Sequence, residues 1–257
     1  MSQAVEKAAR ILWWLAERAE DDDHGEQSLR NLAAGVGLDK ATAYRIAQSL
    51  AKYGLVSHNP ATRDYRIGPG AIQLARAATK AHPFLGQYLP VLKDLARATE
   101  ETVSLSERRG LTGVTIHEIE SQQVVRYANK VGVSAPLYMA AGPRSILTWS
   151  DEATRRRVLD GPIESFAGQT LTSTDELAEA IAADRAAGYC HSFGERHAGV
   201  HSLAAPILGA DGYAMGAVSI LWPSRGAEED GRRLREWPPI LMDAVRPVSA
   251  HGRRAVA

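Results

Sequence analysis

The chain has 257 residues, 45% of them apolar, with 30 Lys+Arg set against 30 Asp+Glu. That length suits two domains, and the neutral total rules out a globally basic nucleic-acid binder. A single cysteine, Cys190, excludes an intrachain disulfide and a cysteine-based zinc site.

The N-terminus lacks a charged start, apolar stretch and cleavage site in series, and no apolar run approaches the ~20 residues that cross a bilayer, so a soluble, cytoplasmic chain with no membrane partner is expected. The neutral total also hides an asymmetry. Residues 1–29 hold three basic against seven acidic side chains, a net of −4, and residues 30–66 hold six basic against two acidic, a net of +4. A local positive patch is the electrostatic footprint of a DNA-binding module, though a solvated face gives the same pattern.

Helical spacing of Val5, Ala8, Ile11, Leu12, Leu15 and Ala19 predicts an amphipathic helix over 3–19. The acidic run Asp21-Asp22-Asp23-His24-Gly25 breaks it into a loop over 20–26, expected to lie away from DNA because like charges repel phosphates. Ser28 is placed to cap a short second helix that turns Leu29, Leu32 and Ala33 inward. Gly35-Val36-Gly37-Leu38 makes a tight turn. Asp39 then caps a third helix from Lys40 to Tyr53, with Ala43, Ile46, Ala47 and Leu50 inward and Gly54 ending it.

Two helices joined by a short glycine-containing turn form the helix-turn-helix pattern. On the outward face of the third helix Lys40, Ala41, Thr42, Tyr44, Arg45 and Gln48 are polar or small, as base-reading positions should be. Strand-like 55–58, a turn over 59–64 and strand-like 65–67 read as a wing that sets Arg63 and Arg66 against phosphates. Ser28 joins these residues as an expected DNA contact. A plain helical bundle with an incidental hairpin is the alternative.

AVEKAARILWWLAE, followed by LRNLAAGVGLDKATAYRIAQSLAKYGLVSHNPATRDYRIGPGAIQLA, resembles the DNA-binding domain of the IclR family of transcription regulators. Lys40, Ala41, Thr42 and Arg45 fit the start of that family's recognition helix, and Asp64 to Pro69 fit its wing exit. The acidic loop at 20–26 is longer than the family usually carries.

Helical periodicity continues over 70–99, broken at His82-Pro83, with Pro83 and Pro90 bending or restarting the helix. From Thr102 the period becomes strand-like: 103–106, 114–119 and 124–127 are strand candidates. Ser173-x-x-Glu176 is a capping box opening a helix that runs to Ala187 and closes at Gly188. Leu203–Leu208 and Tyr213–Leu221, joined through Asp211-Gly212, read as a hairpin. An α+β domain follows, giving boundaries of 1–68 for the winged helix, 69–98 for a helical linker and 99–250 for the second domain.

The resemblance runs through nearly the whole chain, carried by Ser134-Ala135-Pro136-Leu137, by Ala140 to Leu147 and by Glu195 to Pro206. It implies a GAF-like antiparallel-sheet sensor whose small-molecule effector alters operator binding. The family's effector positions fall on Ser192, Ser202, Ser219 and Leu221, with Tyr138, Met139, Ala141 and Gly142 alongside. With Trp222 also near, that set points to a larger, partly apolar or aromatic effector. A carboxylate there would rely on backbone N–H groups, Arg126 or Arg144. The resemblance also implies double-stranded DNA with a palindromic operator as partner, a homodimer or dimer of dimers, repressor-type regulation and no cofactor.

A catalytic or metal-binding α+β domain is the rival reading. Gly-x-Ser-x-Gly, His-Glu-x-x-His and a phosphate-cradling glycine loop are all missing from the sequence. His191, Glu195, His197 and His201 would be metal ligands only if their segment were helical, and Gly194 and Gly199 argue for a loop. The expectation is therefore neither metal nor catalysis.

Overall fold

Helix α1 (Gln3–Arg18) buries Ile11 and Leu15 completely, the two positions one helical turn apart on its apolar stripe. The computed structural model describes residues 2–19, 26–165, 170–171 and 173–252. The acidic loop expected over 20–26 thus lies, Glu26 excepted, outside the described residues. Two compact units divide the chain, Met1–His82 and Pro83–Ala257.

In the first unit β1 (Gln27–Ser28) leads into α2 (Leu29–Gly35), and Ser28 Oγ accepts from Asn31 N at 3.2 Å. Asp39 Oδ1 accepts from Thr42 N at 2.9 Å to open α3 (Lys40–Lys52). Gly54 follows with φ +70, a left-handed backbone that ends the helix and that glycine adopts without a Cβ penalty. Strands β2 (Val56–His58) and β3 (Asp64–Ile67) form the wing, and β1 adds to its far edge in the order β1-β3-β2. Ile11, Leu15, Leu32, Val36, Ala47, Leu50, Val56 and Tyr65 form one core. Helix α4 (Gly70–Ala81) closes the unit and buries none of its residues within the chain.

Within the stretch 69–98 the helix breaks at His82, where the two units divide. Helix α5 (Pro83–Thr99) starts at a proline, which needs no N–H partner there, and belongs to the second unit. Its Leu85, Tyr88, Leu92 and Leu95 are buried against the sheet. That sheet contains β4 (Thr102–Arg109), β5 (Thr112–Ile119), β6 (Ser134–Pro136), β7 (Cys190–Phe193), β8 (Val200–Leu208) and β9 (Ala214–Pro223). All pairs are antiparallel, in the order β6-β5-β4-β9-β8-β7.

One sheet face, with Val103, Leu105, Leu203, Val218, Ile220 and Trp222, packs on α5 and on α9 (Ala227–Gly252). The other face carries α6 (Ala141–Thr148), and beyond it α7 (Glu152–Leu159) and α8 (Thr174–Ala187). The capping box at Ser173 and Glu176 opens α8, and Gly188 at φ +84 closes it. The strand expected over 124–127 is absent: Val124 is 96% exposed, and the edge of β5 is taken by β6 instead. This segment belongs to a connection, 120–133, tied back to β5 by Asn129, which donates through N to Glu118 Oε2 and through Nδ2 to Thr115 Oγ1, both at 2.9 Å.

Candidate DNA interface and effector cavity

The first unit leaves one polar helix face open. Along α3 Ala43, Ala47 and Leu50 are buried, while Lys40, Ala41, Tyr44 and Arg45 are exposed and Thr42 is half-buried. Arg45 Nη2 reaches Thr42 Oγ1 at 3.5 Å, so the two share the first turns of that face. Ser28 caps α2 from a half-buried position. Arg63 and Arg66 are exposed on the wing, Arg63 in a left-handed backbone at φ +65. The exposed face of α3 and the two wing arginines thus leave polar and cationic side chains free of the unit's own core.

Register builds the second site. Ser192, Ser202, Leu221 and Thr102 lie in one row across β7, β8, β9 and β4; Ala204, Ser219 and Ser104 lie in the next. Alternation along β9 turns Ser219 and Leu221 away from the core that holds Val218 and Ile220. These rows border a cavity of about 40 Å³ with Ser104, Ser106, Thr115, Ser192, Ser202 and Ser219 in its wall. Gly142 and Pro143 at the start of α6 form another wall, and Tyr127 and Asn129 from the 120–133 connection complete it with Glu195, Arg196, His197 and Leu221. Gly142 is needed for space, since a Cβ there would sit 2.8 Å from Ser219 Oγ.

Of the expected effector residues, Gly142, Ser192, Ser202, Ser219 and Leu221 line this cavity. Tyr138 and Met139 do not: both are buried in a separate core with Leu137, Ile146 and Leu177, and Tyr138 Oη accepts from Glu164 N at 3.0 Å. Ala141 packs with Cys190 and Ala204, and its N–H donates to Ser192 Oγ at 3.2 Å. Trp222 faces the opposite core.

Arg144 is also committed elsewhere. It is 3% exposed and donates to Asp184 Oδ2 (2.8 Å), Glu195 Oε1 (2.6 Å) and the His191 carbonyl (2.6 Å). Burial opposes its charge, but Glu195 and Asp184 more than offset this and raise its pKa. Glu195 Oε2 also accepts from Ala140 N at 3.0 Å, anchoring the entry to α6, where Ala140 takes φ +58. Arg126 pairs with Glu120 on the 120–133 connection.

Arg196, which the sequence reading did not single out, is the cation that lines the cavity, and among the described residues no hydrogen bond or ion pair engages it. His197 beside it packs at a tilt against Tyr127 with ring centroids 5.4 Å apart, and burial, then Arg196, lowers its pKa.

The four residues considered as metal ligands do not converge. His197 is on the cavity side, Glu195 binds Arg144, and His191 and His201 meet on the α9 side of the sheet.

Comparison with known proteins bears on both units. Residues 4–60 match a family model described as the IclR helix-turn-helix domain, and residues 76–250 match one described as the C-terminal part of the bacterial transcriptional regulator IclR. The chain is 29% identical over 249 residues to the glycerol operon regulatory protein of Streptomyces griseus, covering 96% of this chain and 95% of that one. It is 23% identical over 250 residues to the transcriptional repressor IclR of Escherichia coli, covering 96% and 89%. A crystal structure of an IclR transcriptional regulator from Alicyclobacillus acidocaldarius superposes with a TM-score of 0.84 at 28% identity, covering 98% of this chain and 99% of that one.

Proposed function

Since the chain belongs to the IclR family of bacterial transcriptional regulators, we propose that a small organic acid held in its second unit alters how its first unit reads operator DNA. Regulators of this family bind DNA and respond to small-molecule effectors. In this reading α3 enters the major groove with Thr42, Tyr44 and Arg45 toward base edges, assisted by Lys40 and Ala41 at its start. Arg63, Arg66 and the Ser28 end of α2 meet the backbone. One winged helix reaches too few phosphates for tight specific binding, so a homodimer on a palindromic operator is the working unit. The setting is the cytoplasm; among the described residues no helix is long and apolar enough to cross a membrane.

The effector half rests on one observation: a cation, Arg196, with no hydrogen bond or ion pair among the described residues, at a cavity walled by serine and threonine hydroxyls. A carboxylate satisfies Arg196, hydroxyl or carbonyl oxygens satisfy the serines, and Leu221, Pro143 and Val200 supply apolar contact. This favours a compact, oxygen-rich acid over a large aromatic one, because the cavity is about 40 Å³ and its hydroxyls outnumber its rings, Tyr127 and His197, while Tyr138 and Trp222 stand in the cores. We read the chain as a binding protein and not an enzyme: Glu195, the carboxylate at the cavity, is held by Arg144 and Ala140 N, not poised as a base.

Thermal-shift screening of hydroxylated and aromatic acids on the parent and on Arg196→Gln tests the effector half. Stabilisation by an oxygen-rich acid that disappears in Arg196→Gln supports it; equal stabilisation of both proteins refutes it. Footprinting on the region upstream of the protein's own gene, with and without that acid, tests the coupling to DNA.

A further inference from the structure

An acid braces the wing. The half-buried Glu26 accepts from Asn59 Nδ2 at 3.1 and 3.2 Å on its two oxygens, and its Oε2 also accepts from Thr62 Oγ1 at 3.3 Å. Both partners belong to the wing turn, Asn59 at its start and Thr62 two residues before β3. Asn59 Oδ1 accepts from Ala61 N at 3.0 Å, and Thr62 Oγ1 accepts from Asp64 N at 3.3 Å. Directly after Glu26, β1 pairs with β3 through Gln27 to Tyr65 and Ser28 to Asp64, so the acid is held in register with the wing by backbone bonds.

Arg63 sits inside this clamp. Its backbone takes φ +65, a conformation that L side chains adopt only when the surroundings impose it. Its side chain is exposed and engages no partner among the described residues. By charge alone, a carboxylate beside a phosphate-facing turn lowers DNA affinity. By geometry it raises affinity, because ordering the turn in advance removes an entropy cost from binding.

We propose that Glu26 is a positioning residue for DNA binding: it holds the Asn59–Asp64 turn so that Arg63 stands preset for a backbone phosphate. This rests on the reading of the wing as a DNA contact.

The two effects of Glu26 differ in sign, which makes them separable. Operator affinity and its salt dependence are measured for the parent, Glu26→Gln, Glu26→Ala, Arg63→Ala and the double variant Glu26→Ala/Arg63→Ala, with the fold of each checked by circular dichroism. Gln keeps an acceptor for Asn59 and loses the charge, so Glu26→Gln binds at least as tightly as the parent. Glu26→Ala binds about three- to tenfold more weakly, the scale of one lost hydrogen-bonded strut. In the Arg63→Ala background Glu26→Ala brings no further loss, because the positioning effect acts through that arginine.

Parent-level or tighter binding by a folded Glu26→Ala overturns the proposal, as does an undiminished loss in the Arg63→Ala background. If Glu26→Ala does not fold, Thr62→Val removes the hydroxyl that links Glu26 to the turn, together with its bond from Asp64 N, and unchanged affinity there overturns the proposal equally. If Arg63→Ala itself leaves both affinity and salt slope unchanged, the wing reading has failed, and the brace with it.

Discussion

His191 Nε2 lies 3.0 Å from His201 Nδ1, and His201 Nε2 lies 3.3 Å from Asp230 Oδ2, so a carboxylate and two imidazoles form a line on the α9 side of the sheet. Burial would raise the pKa of Asp230, but bonds from Ser224, Arg225 N and Trp222 hold it lowered and the group ionised. His201 then presents Nε2–H to the carboxylate and Nδ1 as acceptor to His191 Nε2–H, which assigns one proton to each ring.

A pH dependence follows. Burial, then His201 and Arg144, pushes the pKa of His191 down to about 4 from its ordinary 6.5. The unfolded chain therefore takes up this proton first as the pH falls. The neutral ring's contribution to stability is fully present above pH 6.5 and is lost as the pH drops toward 4. Denaturant unfolding at pH 7.5, 6 and 5 is expected to show a shallower acid decline in His191→Gln than in the parent. Parallel declines would mean that His191 does not titrate differently in the two states.

Groove reading predicts a specific loss. Arg45 is exposed on the open face of α3 with Thr42 one turn before it. Arg45→Ala is expected to cost about 1–3 kcal/mol on the operator and little on unrelated DNA, since a base contact discriminates and a phosphate contact does not. Fluorescence anisotropy on both duplexes checks this; equal losses on the two would move Arg45 from base to backbone.

Much of this was readable from local chemistry. Ser28, Asp39 and Ser173 cap helices because a short oxygen side chain before an apolar period satisfies orphan N–H groups, and that rule needs no tertiary information. The two faces of β9 follow from period-two alternation in the same way. What escaped depends on long-range partners. Arg144 is 40 residues from Asp184 and 51 from Glu195, so its engagement was invisible along the chain. The hint was an arginine set among Ala140, Ala141, Ile146 and Leu147. Tyr138 and Met139 precede cavity residues in sequence yet turn into another core at the positive-φ Ala140. Tyr127 and Asn129 reach the cavity from a segment whose β-branched residues imitate a strand.

Space at the head of α6 gives another prediction. A Cβ at position 142 would meet Ser219 Oγ at 2.8 Å, which forces that hydroxyl to turn or α6 to shift. Gly142→Ala should leave operator affinity unchanged and weaken effector binding about fivefold or more, the scale of one misplaced hydrogen bond. Isothermal titration with the acid identified by thermal shift measures this, and unaltered affinity would show that the ligand stays clear of the α6–β9 contact.

Leu221 offers the sharpest test of the cavity. It is 8% exposed, its neighbours across the sheet are Thr102 and Ser202, and it lines the same space as Arg196. An aspartate here has two fates, and both harm an anionic effector. If it reaches Arg196, it neutralises the anchor. If it does not, it sits as a poorly paired charge in a nearly closed wall and repels the incoming carboxylate. Leu221→Asp is therefore expected to abolish the effect of the acid on operator binding, while affinity without the acid stays at the parent level. Leu221→Asn, similar in size and uncharged, separates charge from shape: it should keep a weakened response. A full response in Leu221→Asp, or its loss to the same extent in both variants, would remove electrostatics from the account of this cavity.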